Sequence, residues 1–305
     1  YGDHRDLHLS LRRQRQMCIR DRFRQMKDPS KEFPKIRVWG TVGWIVAGLV
    51  ISYGVGWEAS QRLEYTFYLA AVVSVALGLF SFSLPKTPPK ATNESPSIRE
   101  ILGLDALKLL NDSRYLIFFI SSILICIPLA FYYQDANLFL NELGMKNAAG
   151  VMTLGQISEA LFILLLPLFL NKYGIKKTLI VGMFAWSLRY VLFAFGDTGS
   201  NIWMLIFGIV LHGICYDFFF VSGQIYTDFK AGEKYKSAAQ GLIALATYGL
   251  GMLIGFRLAG RVTDQFALDP GHDWTQIWII PAIFAAVVLV IFILTFKNEK
   301  IEIEK

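Results

Sequence analysis

The sequence predicts an all-α polytopic membrane protein with about eight transmembrane helices. Composition is the first reason. The 305 residues are 54% hydrophobic and 14% aromatic, and the mean hydropathy is +0.44, beyond the usual share of a soluble domain. The second reason is how the apolar residues are grouped. They form stretches near the roughly 20 residues that cross a bilayer, at 38–56, 64–84, 115–138, 151–170, 177–196, 202–225, 240–260 and 276–296. Several of these stretches hold polar residues at their centres, which a simple anchor has no use for.

Residues 1–22 obey different rules. They are dense in Arg and Asp and lack both apolar periodicity and the hydrophobic core of a signal peptide. The run from Leu11 to Arg22 resembles a translated sequencing-adapter tail, so 1–22 is expected to be non-native. The other reading is a basic arm that touches anionic lipid.

The first span brings Arg37, Thr41 and Trp44 onto one helical face by spacings of four and three. A guanidinium there suits a carbonyl or hydroxyl, a threonine donates a hydrogen bond, and an indole stacks on a planar ring. Arg37 equally suits a headgroup anchor that snorkels to the interface. After the second span, Pro85, Pro88 and Pro89 break the chain. Ser97 and Glu100 then have capping-box spacing before Ile98, Ile101, Leu102, Leu107 and Leu110, which predicts an amphipathic helix in the linker 85–114.

Span three ends in Phe131-Tyr-Tyr-Gln-Asp-Ala-Asn137, too polar for lipid on every side. Tyr133 is the binding candidate of this run, and Asp135 suits a solvated outer end. Span four holds Gln156 and Glu159, three apart and so on one face. A carboxylate at that depth costs roughly 2.5–3.5 kcal/mol on insertion scales, so it marks a solute or proton path by default. Polar glue between helices is the alternative. Span five carries Arg189, which needs a partner that sequence does not name. Span six carries His212, Tyr216 and Asp217, with Asp217 a second candidate proton carrier. Span seven has the small-residue face Gly251-Met-Leu-Ile-Gly255, flanked by Gly241 and Gly260, suited to close helix packing.

Lys and Arg alternate between loops. They crowd before span one and after spans two, four, six and eight, which places those loops and the C-terminus in the cytoplasm. Arg257 and Arg261 run against the pattern beside Asp264, Asp269 and Asp273. The net charge of +6 follows from this loop distribution and gives no reason to expect nucleic acid. Three cysteines make no disulfide framework, and Cys126 and Cys215 suit small apolar filler. No nucleophile elbow, metal-spaced cluster or nucleotide-binding glycine loop occurs, so no catalytic residue, metal or cofactor is expected.

These residues resemble the nucleoside:proton symporter family of the major facilitator superfamily. The marks are Phe33 to Trp44, Leu102 to Leu107, Gln156 to Ile163, Tyr173 to Lys177, Tyr216 to Phe219 with Ser222 and Gly223, and Ser237 to Gly241. The resemblance implies twelve helices in two halves, of which the first four are lacking here. Residues 23–84 would be the last two helices of the N-terminal half, 115–297 the C-terminal six-helix bundle and 298–305 a cytoplasmic tail. It implies a monomer in a bacterial inner membrane that takes up nucleosides with protons, although a fragment of this extent is expected to be inactive. Positions matching Arg37, Thr41 and Trp44 line the solute site from one half, and those matching Gln156, Glu159, His212 and Tyr216 from the other. Ala130 and Tyr133 stand where known members carry amides, and His212 where they carry tyrosine, which leaves the preferred nucleoside open. A proton symporter for a sugar or other polar metabolite, or a receptor or scaffold without transport, are the competing readings.

Overall fold

The structure, a computed structural model, describes residues 29–58, 60, 62, 64–84 and 104–299; the side chains of 29–38, 104, 233, 234 and 237 are outside the description. The tail 1–22, the capping pair Ser97 and Glu100, and most of the linker lie outside the described residues.

Helix α1 is Pro29–Leu49, continued by a π-helical turn over Val50–Gly54. Helix α2 is Tyr65–Ser81; it is apolar throughout and buries no side chain, a surface that hydrocarbon rather than water covers. Helix α3 is Ser113–Glu142. The next helical stretch, Ala148–Phe195, is 48 residues long, about twice what one crossing needs at 1.5 Å per residue. It is two helices. Gly174 sits at φ 73° and ψ 173°, backbone that a residue with a Cβ essentially never takes, and the chain reverses there into α4 (148–173) and α5 (175–195). Three further spans complete the bundle: α6 over Ile202–Gly232, α7 over Ala238–Gln265 and α8 over Trp274–Thr295.

The eight apolar stretches therefore become eight helices among the described residues. Between α2 and α3, Leu104–Asn111 forms a 3-10 helix. Its Ala106 is buried against Ala231 and Ala239, so this end of the linker rests on protein where α6 gives way to α7.

The bundle α3 to α8 is held by aromatic packing. Trp278 of α8 meets Tyr190 in a stacked pair at 5.6 Å and Phe139 and Phe193 edge-on, each at 5.3 Å. Helices approach most closely where glycine removes the side chain. A Cβ on Gly251 or Gly255 would lie 2.7 or 2.6 Å from the Cβ atoms of Cys126 and Ala130 on α3, so the small-residue face does seat a neighbouring helix. Gly241 meets nothing within 4 Å and belongs to no such contact. Outward, Leu164, Leu168, Leu253 and Ile283 are all exposed, as lipid-facing positions are.

At one end the bundle is tied by charge. Lys230 Nζ reaches Asp112 Oδ2 and Glu299 Oε1, each at 2.6 Å. Arg114 adds an ion pair to Glu299 at 3.3 Å, and Tyr226 donates to the same carboxylate at 3.0 Å. Asp112 also caps α3 by accepting from the Arg114 amide at 2.8 Å. The Lys230 hydrogen bond, helped by that amide, holds the Asp112 carboxyl below its ordinary range. A depressed folded-state pKa contributes stability above the unfolded value and loses it as pH falls through the folded one. Asp112→Asn is therefore expected to lower the unfolding temperature in detergent at pH 7. The gap to wild type should shrink once pH drops below about 4; a gap independent of pH would remove the ionic contribution.

Candidate functional site

Helices α4 and α6 cross at a point that two glycines prepare. A Cβ on Gly213 would lie 2.5 Å from the Ser158 carbonyl, and one on Gly155 would lie 3.0 Å from the Cβ of His212 and 3.1 Å from the Ile209 oxygen. Ser158 fastens the crossing by donating to the Val210 carbonyl at 2.5 Å. This contact brings Glu159 of α4 to His212 of α6, with Glu159 Oε2 3.6 Å from His212 Nε2. The Glu159 side chain is only 13% exposed, so the carboxylate is not spent on lipid.

His212 is the centre of the site. Its Nδ1 faces Arg189 Nη1 of α5 at 3.2 Å. Its ring stacks on Tyr132 of α3 at 5.6 Å and on Tyr216 at 5.9 Å. The Arg189 guanidinium carbon lies 3.5 Å from the centre of the Tyr132 ring, a cation–π contact in desolvated surroundings. Arg189 is fully buried. The partner that sequence left unnamed is thus an imidazole on a helix 23 residues away, and no carboxylate touches it directly among the described residues.

The remaining residues border this core. Tyr133 is 46% exposed and within electrostatic reach of Tyr216 and Glu159. Tyr216 meets the Tyr248 hydroxyl of α7 at 2.9 Å. Gln156 is half-buried one turn before Glu159. Asp217 is fully buried and opens a π-helical turn, Asp217–Val221, a local widening often found at working sites. Tyr248 lies in a second such turn, Leu245–Gly251. Asp135, expected to be solvated, is 2% exposed and accepts from Thr263 of α7 at 3.1 Å. The geometry corrects that reading: α7 covers the outer end of α3.

Helix α1 approaches α4 from outside the bundle. A Cβ on Gly48 would lie 2.7 Å from the Thr153 methyl, and Tyr53 packs on Gly150, so the two helices run antiparallel. At 1.5 Å per residue this register puts Trp44 and Thr41 within about one turn of the level of Gln156 and Glu159. Trp44 is 65% exposed and Thr41 half-buried. The Arg37 side chain lies outside the described residues. Sequence reasoning missed Tyr132 and Tyr248. Both sit beside or opposite residues it named, and only the packing separates them from their neighbours.

The arrangement has a buried cation, an imidazole, a carboxylate and a ring of tyrosines in a membrane interior. It suits a group that binds and releases a proton next to a polar, ring-bearing solute. Residues 19–301 match the family described as Nucleoside H+ symporter. The chain belongs to the nucleoside H+ symporter family. YegT of Escherichia coli (strain K12), a nucleoside transporter by name, is 42% identical over 292 residues, covering 92% of this chain and 68% of YegT. The nucleoside permease NupG of the same organism is 33% identical, over 89% of this chain and 67% of NupG. A crystal structure of a NupG mutant superposes with TM-score 0.80, at 33% identity, over 90% of this chain and 70% of that one. The chain thus spans about two thirds of the length of its relatives. Membership in the nucleoside H+ symporter family fixes a major-facilitator-like, multi-pass membrane fold and proton-coupled nucleoside uptake as its activity, and these relatives are permeases rather than enzymes.

Proposed function

We propose that the nucleoside:proton symport of this family runs, in this chain, past Gln156, Glu159, His212 and Tyr216 on the bundle side and past Arg37, Thr41 and Trp44 on α1, with Tyr133 at the border. Gln156 and Glu159 hydrogen-bond ribose hydroxyls and base edges, and Trp44 or Tyr216 stacks on the base. Glu159, together with Asp217, binds the proton whose gradient drives uptake. Movement of α1 and α2 against the six-helix bundle 115–297 exposes the site to each side in turn. The protein works as a monomer in the bacterial inner membrane with its C-terminus in the cytoplasm, as the Lys and Arg distribution favours.

The observation that carries this reading is Glu159, a carboxylate inside an apolar helix, 3.6 Å from a buried imidazole. The test is competition for labelled uridine uptake in the intact transporter under an inward proton gradient. Unlabelled nucleosides should suppress uptake and a panel of sugars should not. Equal suppression by a sugar would favour the polar-metabolite symporter instead, and absence of any solute movement in proteoliposomes would favour a receptor or scaffold.

A further inference from the structure

The Arg189–His212–Glu159 contact carries more than proximity. A guanidinium has five N–H donors, no acceptor, and stays charged in proteins. The His212 nitrogen that meets Arg189 at 3.2 Å is Nδ1, so Nδ1 must accept and cannot bear a proton. A neutral imidazole with a bare Nδ1 carries its hydrogen on Nε2. Nε2 is the atom that faces Glu159. A cationic His212 would turn an N–H against the N–H groups of Arg189 in a site where His212 is 2% exposed and Arg189 fully buried. The Nε and Nη2 atoms of Arg189 have no hydrogen-bond partner, and its charge otherwise meets the ring faces of Tyr132, Trp186 and Phe193. From the surrounding helices the groups facing His212 are Tyr132 on α3, Glu159 on α4 and Arg189 on α5, with Tyr216 on its own helix.

We propose that Arg189 is a positioning residue that locks His212 as the neutral Nε2–H tautomer, so that His212 turns its N–H toward the Glu159 carboxylate and never carries the transported proton itself. Arg189, His212 and ionised Glu159 are together neutral. When Glu159 takes a proton the three carry one positive charge, and Arg189 is then without a counter-charge through the ring. Two jobs that an imidazole does elsewhere are divided here: orientation falls to His212 and titration to Glu159. This rests on the reading of Glu159 as the proton carrier. The tautomer itself is open to a measurement that needs no transport.

That measurement is nitrogen NMR on the purified transporter labelled only at histidine nitrogens, with His212→Gln used to assign the signal. The expected spectrum is the Nε2–H tautomer with no titration from about pH 5 to pH 8, although an ordinary histidine changes charge there. An Nδ1–H spectrum, or a titration within that window, overturns the proposal even if every transport result is as expected. Arg189→Gln frees Nδ1. In that variant Nδ1 can take a proton, so His212 should gain a titration toward acid pH that the wild type lacks, and nucleoside uptake should fall more steeply at acid pH than in the wild type. The acid loss should disappear in the Arg189→Gln/His212→Gln double variant. If His212 in Arg189→Gln still does not titrate, Arg189 is not what holds it. Should Arg189→Gln fail to fold, the wild-type spectrum decides alone.

Discussion

Glu159→Gln is expected to abolish proton-driven accumulation of nucleoside while leaving exchange across the membrane in place. The glutamine keeps the shape of the side chain that faces His212, so the α4–α6 crossing set by Gly155, Gly213 and Ser158 is undisturbed. What it loses is the ability to bind and release a proton. Without it the empty carrier can return in either orientation with no proton to couple, and the gradient does no work on the solute. Counterflow of labelled against unlabelled uridine measures the exchange, and accumulation against a gradient measures the coupling. The expected split is accumulation reduced to the equilibrium level, on the order of the whole driving force, with counterflow within a few-fold of wild type. Wild-type accumulation by the variant would assign coupling elsewhere, with Asp217 next in line. Loss of both activities together would assign Glu159 to solute binding alone.

The helices were legible because hydrocarbon thickness fixes their length. The stretch 151–170 became α4 at 148–173, and 276–296 became Trp274–Thr295. The reversal between α4 and α5 hangs on one residue, Gly174, whose positive φ is invisible in an apolar profile. Of the site, the pairs on one helix were readable by spacing: Gln156 with Glu159, and Thr41 with Trp44. Contacts between helices were not. Arg189 reaches His212 across a helix–helix packing angle that no spacing rule contains, and Tyr132 rather than Tyr133 stacks on the histidine because α3 turns that face inward. Asp135 looked solvated because it falls near the outer end of its span, yet Thr263 covers it from a helix far along the chain. Ionisable residues announced themselves by their cost in an apolar span, while their partners were set by the packing.

Glu58→Ala is expected to shift the protein toward the conformation open on the side where α1 ends. Glu58, 7% exposed, accepts from Ser52 Oγ at 2.6 Å through one oxygen and from the Ala149 amide at 2.8 Å through the other. Ala149 lies in the first turn of α4. Asn147, at the start of that helix, sits in left-handed backbone and offers no side-chain cap, so a carboxylate from the α1–α2 loop satisfies an amide that α4 leaves open. It also meets the positive end of the α4 dipole. Glu159 is ten residues further along α4, about 15 Å away at the helical rise. The contact therefore ties the α1–α2 loop to the start of α4, away from the site. The movement of α1 and α2 against the bundle proposed above has to break it. A cap of this kind is worth about 1–2 kcal/mol, and about 1.4 kcal/mol changes a population tenfold. Spin labels at the exposed positions Val55 and Lys146, in a background with the native cysteines replaced, report the opening as a longer distance. Glu58→Ala should raise the long-distance population about tenfold. Glu58→Gln keeps one oxygen to accept from the Ala149 amide while its NH2 can only donate toward Ser52 Oγ; it should raise the long-distance population less than Glu58→Ala does. Identical distributions in all three proteins would reduce Glu58 to a helix cap with no part in closure.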